Sequence, residues 1–211
     1  MSNYTLTYFN VEGRAELIRW CFAFGGIQFT DERIHREDWT ERKKTLPGGQ
    51  VPVLFIDDQP LHQSTAITRY VAREAGLVPE DNLTAALCDA AVETVEDLRT
   101  QYYKILQPGK LREWLSEAEK SDIERQITED FFPNRLTPIL AKFNQRLQSR
   151  GWFYTEKCTW VDIAICCFLS NLRAHYQTVM KGFPFVESHV NKVLSLKNIN
   201  NWVQNRPETE Y

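Results

Sequence analysis

The sequence predicts a small α/β unit followed by an all-α region, and three observations support this. Strand and helix patterns alternate over residues 1–78, no strand pattern follows Pro79, and long helical patterns fill the remainder. At 211 residues the chain has room for one domain or two small ones. The change of pattern near residues 77–82 is the expected domain boundary.

The α/β unit is predicted from short runs of strand-forming residues and two longer helical patterns. Tyr4–Phe9 is rich in tyrosine, threonine and phenylalanine, which predicts the first strand. Apolar residues recur at helical spacing over 13–25, and a second helix is expected over 64–75 because Gly76 and Pro79 follow it. The other predicted elements are strands over 27–34, 51–56 and 61–62, a short helical segment over 38–46, and turns at 47–49 and 57–60.

Long helical patterns predict the all-α region. They cover residues 83–107, 121–149, 159–180 and 187–203, with turn signals at 107–109 and 150–151. Thr159 and Asp162 match a capping box ahead of an apolar run, so we expect a buried helix to start there.

Composition excludes several classes of protein. With 43% hydrophobic and 25% charged residues the chain is neither disordered nor collagen-like, and a net charge of -3 argues against a dedicated nucleic-acid binder. The five cysteines form no CxxC pair, which predicts neither a disulfide framework nor a zinc site and favours a reducing compartment. The N-terminus lacks the features of a signal peptide, and no apolar run is long enough to span a bilayer. A cytoplasmic protein without a membrane partner is expected.

Three features of the α/β unit allow both a structural and a chemical interpretation. Tyr8 could close the core with its hydroxyl in water, or donate to an anion beside the following helix. The segment ahead of Pro52 could be a plain turn, or carry a cis bond that turns the backbone of Val51 outward toward an extended peptide. Ser64 could cap its helix, or leave the same amides to hold a carboxylate.

The helix predicted over 83–107 carries an acidic stripe. Its members fall on one helical face and are Asp89, Glu93, Glu96 and Asp97. An apolar face is predicted from Leu87, Ala91, Val95, Leu98, Tyr102 and Ile105. The stripe is interpreted as a solvated face or as a surface toward a cationic group or basic partner.

Taken together and in order, these features resemble a known family over essentially the whole chain. The sequence is similar to the cytosolic glutathione transferases of the sigma class, including mollusc members and the S-crystallins of eye lens. The motifs that carry the resemblance are Tyr4-Thr5-Leu6-Thr7-Tyr8-Phe9, Gly13-Arg14-Ala15-Glu16, Asp38-Trp39, Pro47-Gly48-Gly49-Gln50-Val51-Pro52, Gln63-Ser64 and Asn205-Arg206-Pro207.

The resemblance implies a thioredoxin-like domain over 1–78 that binds glutathione, and an all-α domain over 83–204 that lines the pocket for an electrophile. It implies that Tyr8 and Arg14 are catalytic, with the Tyr8 hydroxyl donating to the glutathione thiolate. The residues implied to contact glutathione are Tyr8, Arg14, Trp39, Lys43, Gln50, Val51, Pro52, Gln63, Ser64 and, from the partner subunit of a homodimer, Asp97.

The implied activity is conjugation of the glutathione thiolate to electrophilic small molecules in detoxification. Glutathione is a co-substrate, so no cofactor is expected, and no metal is assigned. The alternative is a catalytically weak structural or ligand-binding relative such as a lens S-crystallin. A thiol-disulfide oxidoreductase on the same fold is set aside because positions 12 and 14 hold Glu12 and Arg14 in place of cysteine.

Two departures from the family pattern affect this expectation. Glu12 stands where an arginine or a small residue is common, which places an acid near the thiol site and is expected to weaken stabilisation of the anion. Residues 99–104 and 163–168 match poorly with the electrophile pocket of the prostaglandin D synthases of this class, so prostaglandin isomerisation is not implied.

Overall fold

A sheet of four strands in the order β2-β1-β3-β4 organises the first part of the structure. The computed structural model describes residues 2–106 and 115–209. Strand β1 (Tyr4–Phe9) pairs in parallel with β2 (Thr30–Ile34) and antiparallel with β3 (Val53–Ile56), which pairs antiparallel with β4 (Gln59–His62). The predicted strand order along the chain is confirmed, although β2 and β3 start later than predicted and β4 starts earlier, at Gln59, within the predicted turn. Pro52 has no N–H to donate to the ladder, so β3 begins at the next residue.

Two longer helices pack against each other beside this sheet, and a series of short helical turns follows its second strand. Helix α1 (Glu16–Gly25) follows a 3-10 turn at Gly13–Ala15 and packs against α3 (Ser64–Glu74), with a largely buried apolar face on each helix. The short helix α2 (Trp39–Arg42) lies between the 3-10 turns Arg36–Asp38 and Lys43–Thr45, and a further turn spans Pro47–Gly49. The predicted α/β unit is confirmed.

The rest of the described structure is helical. It contains α4 (Asn82–Leu106), α5 (Glu117–Arg125), a π-helical segment (Gln126–Leu136), α6 (Thr137–Gln148), α7 (Trp160–His175), α8 (Pro184–Leu194) and α9 (Lys197–Asn205). Helix α7 packs against α4 and is buried over most of its length. Its start is capped as predicted, because Oδ2 of Asp162 accepts from the backbone N–H and the hydroxyl of Thr159, both at 2.7 Å. None of the described helices is long and apolar enough to cross a membrane.

Three of the predicted helices have different limits in the structure. The pattern over 121–149 contains three consecutive segments, and the middle one is π-helical and holds Pro133, which lacks the N–H that an α-helix would use. The helix predicted to reach residue 180 ends at His175, because Tyr176 leaves the helical region at φ -129° and ψ 81°. The pattern over 187–203 divides at Leu196, which is extended. The predicted turn at 107–109 lies outside the described residues.

By internal contacts the described chain divides into two compact units. One joins the residues up to Glu80 with those from Val193 onward, and the other lies within Asp81–Lys192. The C-terminal residues group with the first unit because α9 packs against α1. In that contact Ile199 is fully buried, and the Asn198 side-chain amide donates to the carbonyl of Phe24 at 3.2 Å. The domain limits 1–78 and 83–204 stay predictions.

Candidate active site

Tyr8 lies near the end of β1 with its side chain largely buried, 9% exposed. Its hydroxyl oxygen accepts a hydrogen bond from the backbone N–H of Arg14 at 3.1 Å. A phenol that accepts through its oxygen still carries a hydrogen that it can donate. A backbone donor also polarises the O–H bond and makes it a better donor to an anion. The structure therefore brings the backbone of Arg14 against Tyr8, and the catalytic roles of both residues stay predictions.

Gly13 allows the turn to approach the phenol this closely. Its φ is +45°, and a Cβ built on it would lie 2.6 Å from the Tyr8 hydroxyl oxygen. A side chain at this position would be strained by the backbone conformation and would also collide with the tyrosine. No role for Gly13 was predicted from the sequence, although Gly13 belongs to one of the family motifs. The position of Gly13 directly before the first helix was the one feature of the sequence that could have indicated a role.

Glu12, the acid predicted to lie near the thiol site, pairs with an arginine from a distant part of the chain. Its Oε1 lies 2.6 Å from Nη2 of Arg206, close to the C-terminal end of the described chain. The expected penalty for an acid near the thiol is therefore opposed by a guanidinium. The effect of Glu12 on the anion stays a prediction, and no local sequence pattern contains its contact with Arg206.

A buried guanidinium supports the same turn from the other side. Arg19 is fully buried and donates from Nη1 to the carbonyl of Val11 at 3.0 Å and to Oε2 of Glu16 at 3.1 Å. Its Nε donates to Oδ1 of Asp31 on β2 at 3.0 Å. No role for Arg19 was predicted from the sequence, and charged residues are seldom fully buried unless they are paired.

Trp39 and Lys43 lie on the short helical turns after β2. The Trp39 ring packs edge-on against Phe9, with the ring centroids 4.9 Å apart. Lys43 is exposed, and its aliphatic chain passes over Gly49, where a built Cβ would lie 3.1 Å from Cε of the lysine. An aromatic edge and an exposed cation are therefore placed beside the turn that leads to Gln50.

The segment Gln50-Val51-Pro52 contains a cis peptide bond between Val51 and Pro52. The predicted cis bond is therefore present, in place of a plain turn with a trans bond, and pairing of Val51 with a peptide stays a prediction. Gln50 is exposed with an extended backbone, and Val51 precedes the first ladder pair of β1 and β3, Thr7 with Val53. The backbone of Val51 is therefore outside that ladder.

Gln63 and Ser64 open helix α3. The N-cap of α3 is Gln63 and not Ser64, and no side-chain capping hydrogen bond forms at this end of the helix. The interpretation of Ser64 as a capping residue is therefore wrong. Gln63 holds φ at +74°, which is uncommon for a residue with a side chain, and strain of this kind concentrates at functional sites.

Asp97 is exposed on α4 and lies in the second compact unit. Of the acidic stripe, Glu96 is 12% exposed and pairs with Arg99 on its own helix at 3.4 Å, so it is not a solvated residue. Of the predicted apolar face, Ala91, Val95, Leu98 and Tyr102 are buried, whereas Leu87 is 42% exposed. Over residues 2–106 and 115–209, no group of three or more His, Cys, Asp or Glu could hold a metal ion.

Comparison with known proteins identifies the family of both halves of the chain. The family "Glutathione S-transferase, N-terminal domain" matches residues 4–73, and "Glutathione S-transferase, C-terminal domain" matches residues 109–206. The hematopoietic prostaglandin D synthase of Gallus gallus is 35% identical over 210 residues, which span 99% of each chain. A glutathione S-transferase of Anopheles gambiae is 32% identical over 212 residues and the full length of both chains.

Solved structures agree with this assignment. A glutathione S-transferase of Necator americanus, described as monomeric, has a TM-score of 0.89 at 29% identity, covering 99% of this chain and 100% of its own. Rat hPGDS complexed with a quinoline has a TM-score of 0.85 at 32% identity, with 99% and 100% coverage. The N-terminal four-stranded sheet with its helices and the helical remainder thus form the fold of these enzymes. The chain belongs to the glutathione S-transferase family and is a glutathione transferase.

Proposed function

We propose that this glutathione transferase is of the sigma class and that Tyr8 holds the bound glutathione sulfur as a thiolate for attack on an electrophilic carbon. The observation that carries the proposal is the hydrogen bond from the Arg14 N–H to the Tyr8 hydroxyl oxygen. It keeps the phenol oriented as a donor. Tyr8 stays protonated and stabilises the anion without acting as a base.

The energetics are compatible with one such donor. A free thiol of pKa ~8.5 is only a few per cent thiolate at neutral pH. Lowering that pKa by about 2 units requires ~2.7 kcal/mol of preferential stabilisation of the anion. A charge-assisted hydrogen bond contributes ~1.5–3 kcal/mol. Arg14 and the amides at the start of the following helix add to it.

The remaining contacts with glutathione follow the chemistry of each group. We assign the glycine end to Trp39, Lys43 and Gln50, because Lys43 is an exposed cation that can pair with a carboxylate. The backbone of Val51, which lies outside the strand ladder ahead of Pro52, pairs with the cysteinyl part. The γ-glutamyl carboxylate binds at Gln63 and Ser64, where the first amides of α3 favour an anion. No cofactor takes part.

We further propose a cytoplasmic homodimer in which Asp97 of each subunit binds the γ-glutamyl amine in the site of the other. Asp97 is exposed and therefore accessible to a partner. A related structure is described as monomeric, so the state in solution is an essential measurement. Analytical ultracentrifugation should give twice the chain mass, and Asp97→Asn should raise the KM for glutathione about tenfold while leaving the sedimentation unchanged. A monomer with an unchanged KM contradicts this part of the proposal.

The catalytic proposal is tested with glutathione and a chloronitrobenzene, following the absorbance of the thioether product. Tyr8→Phe should lower kcat/KM about 100-fold, because it removes the preorganised hydrogen-bond donor to the glutathione thiolate. Tyr4 lies on the same strand, is also buried, and makes its hydrogen bond to Glu74 at 3.4 Å. Tyr4→Phe is therefore the matched control and should retain the unsubstituted rate.

Equal rates for the unsubstituted protein and Tyr8→Phe would contradict the proposal. They would favour the alternative, a structural or ligand-binding relative similar to a lens S-crystallin that retains the fold with little turnover. Binding of glutathione measured by calorimetry distinguishes that relative from a protein with no site at all. Prostaglandin isomerisation, named for several relatives, is not part of the proposal and is assayed in the same substrate panel.

A further inference from the structure

Arg206 joins the C-terminal end of the described chain to the turn beside Tyr8. Arg206 directly follows α9. Its guanidinium contacts the carboxylate of Glu16 at the start of α1 and that of Glu12 on the turn before α1. Nη2 lies 2.6 Å from Oε1 of Glu12, and Nη1 lies 2.6 Å from Oε1 of Glu16. The forked shape of arginine allows both contacts at once, which a single ammonium group cannot reproduce.

Glu16 is the buried anchor of this contact. Its side chain is 2% exposed, and Oε1 also accepts from the indole N–H groups of Trp20 and Trp202, each at 2.9 Å. Burial alone would raise the pKa of the Glu16 carboxyl, but Arg19 and Arg206, with the hydrogen bond from Trp202, hold it below its ordinary value. The ionised carboxylate thus fixes α9 and Arg206 against α1.

Glu12 connects the anchor to the candidate site. Glu12 immediately precedes Gly13, which lies against the Tyr8 hydroxyl. It also lies two positions before Arg14, whose backbone N–H donates to that hydroxyl. Arg19 holds the carbonyls of Val11 and Glu12 from the side of α1, at 3.0 and 3.4 Å. The carboxylate of Glu12 is held from the opposite end of the chain by Arg206.

We propose that Arg206 is a positioning residue of the active site: it neutralises Glu12 beside the glutathione sulfur and fixes the turn that presents the Arg14 N–H to Tyr8. This inference rests on the proposed role of Tyr8. A bare carboxylate next to the sulfur disfavours the thiolate, whereas a paired one does not. The charged groups that surround this turn are Glu12 and Arg14 on the turn itself, Glu16 and Arg19 on α1, Asp31 and Arg33 on β2, and Arg206.

The test is the pH titration of the thiol of bound glutathione, followed by the ultraviolet absorbance of the thiolate. Arg206→Gln should raise that pKa by about one pH unit, because Glu12 is then unopposed. Glu12→Gln should lower it by about half a unit, and Glu12→Gln combined with Arg206→Gln should return it close to the unsubstituted value. Arg206→Lys keeps the charge but cannot hold Glu12 and Glu16 at once, so it should raise the thiol pKa by less than Arg206→Gln does, about half a unit.

A purely structural role for Arg206 would give a different pattern, since loss of stability alone does not move the thiol pKa of the folded fraction. An Arg206→Gln protein that is folded by circular dichroism and titrates like the unsubstituted protein would overturn the inference. If Arg206→Gln does not fold, Glu12→Gln decides, and an unchanged thiol pKa in that variant overturns it as well. Tyr8→Phe is titrated in parallel. An unchanged thiol pKa there would refute the proposed role of Tyr8, whereas a rise there without one in Arg206→Gln refutes only the inference about Arg206.

Discussion

The backbone N–H of Arg14 donates to the phenolic oxygen of Tyr8 over 3.1 Å, although the two residues lie at opposite ends of the turn between β1 and the first helical residues. The phenol is thus oriented by the main chain as well as by its own packing. Its donor function depends on the conformation of that turn, which Gly13, Arg19 and Arg206 maintain.

Gly13→Ala should lower kcat/KM at least tenfold, because the added Cβ would lie 2.6 Å from the Tyr8 hydroxyl oxygen and must displace it. Gly76→Ala is the matched control, since Gly76 also has a positive φ, +70°, but has nothing within 4 Å of a built Cβ. Both variants should lose about 1–2 kcal/mol of stability from backbone strain. Steady-state kinetics with glutathione and a chloronitrobenzene separate them. Equal activity losses in the two variants would show that strain, not displacement of the phenol, is responsible.

Glu16→Gln should destabilise the protein by about 3 kcal/mol at neutral pH, because two guanidinium groups then lose their buried counter-ion. The folded-state pKa of Glu16 is below its ordinary value of 4.5. Between these two pKa values the unfolded chain therefore binds more protons than the folded protein does. The stability contributed by the carboxylate is therefore present above about pH 4.5 and is lost as the pH falls through the folded-state pKa. Urea denaturation at neutral and acid pH should show the difference between the two proteins shrinking under acid conditions.

Glu117→Gln serves as the control for this pH dependence. Glu117 is exposed and pairs with Lys120 on the surface of α5, so its replacement should leave the denaturation midpoint unchanged. A difference between Glu16→Gln and the unsubstituted protein that stays constant from neutral to acid pH would contradict an ionised Glu16 in the folded protein.

Asp162→Ala should cost about 3 kcal/mol, because this fully buried carboxylate accepts from Thr159 and also from the backbone N–H of Phe153 at 2.9 Å. Glu119→Ala removes the equivalent acid from the exposed capping box that begins at Ser116 and should cost about 1 kcal/mol or less. Thermal denaturation of the two variants measures the contrast. Similar losses in both would mean that burial of the cap of α7 adds nothing to its stability.

The five cysteines should resist alkylation in the folded protein, because all of them are buried. Burial raises the pKa of Cys21 far above its ordinary value and that of Cys88 to about 11, so neither is a thiolate at neutral pH. Treatment with iodoacetamide at neutral pH should leave glutathione transferase activity intact, with labelling only after denaturation. Rapid labelling with loss of activity would support thiol chemistry of the protein itself, contrary to this account.

Local patterns were sufficient for much of the fold. The strands, α1, α3 and the cap at Thr159 follow from periodicity and neighbouring residues, and the structure confirms them. Features that depend on backbone dihedral angles were not predictable from local patterns. One example is the N-cap of α3, which is Gln63 at φ 74° and ψ 112° and not Ser64. The exposure of Leu87 was not predicted, because helical spacing alone does not show which part of a long helix is packed against other elements.

Contacts between distant parts of the chain were also beyond prediction from the sequence. The neutralisation of Glu12 requires Arg206, and the burial of Glu16 requires Trp202. The candidate site could be listed residue by residue from its resemblance to a family. Its electrostatic balance became visible only when the C-terminal helix was placed against α1.

The ultraviolet titration of the thiol of bound glutathione tests the central claim most directly. We predict that this thiol ionises about 2 pH units below the ~8.5 of an ordinary thiol, that Tyr8→Phe returns it close to that value, and that Tyr4→Phe leaves it lowered. A bound thiol that ionises in the unsubstituted protein at the same pH as glutathione in buffer would contradict the account.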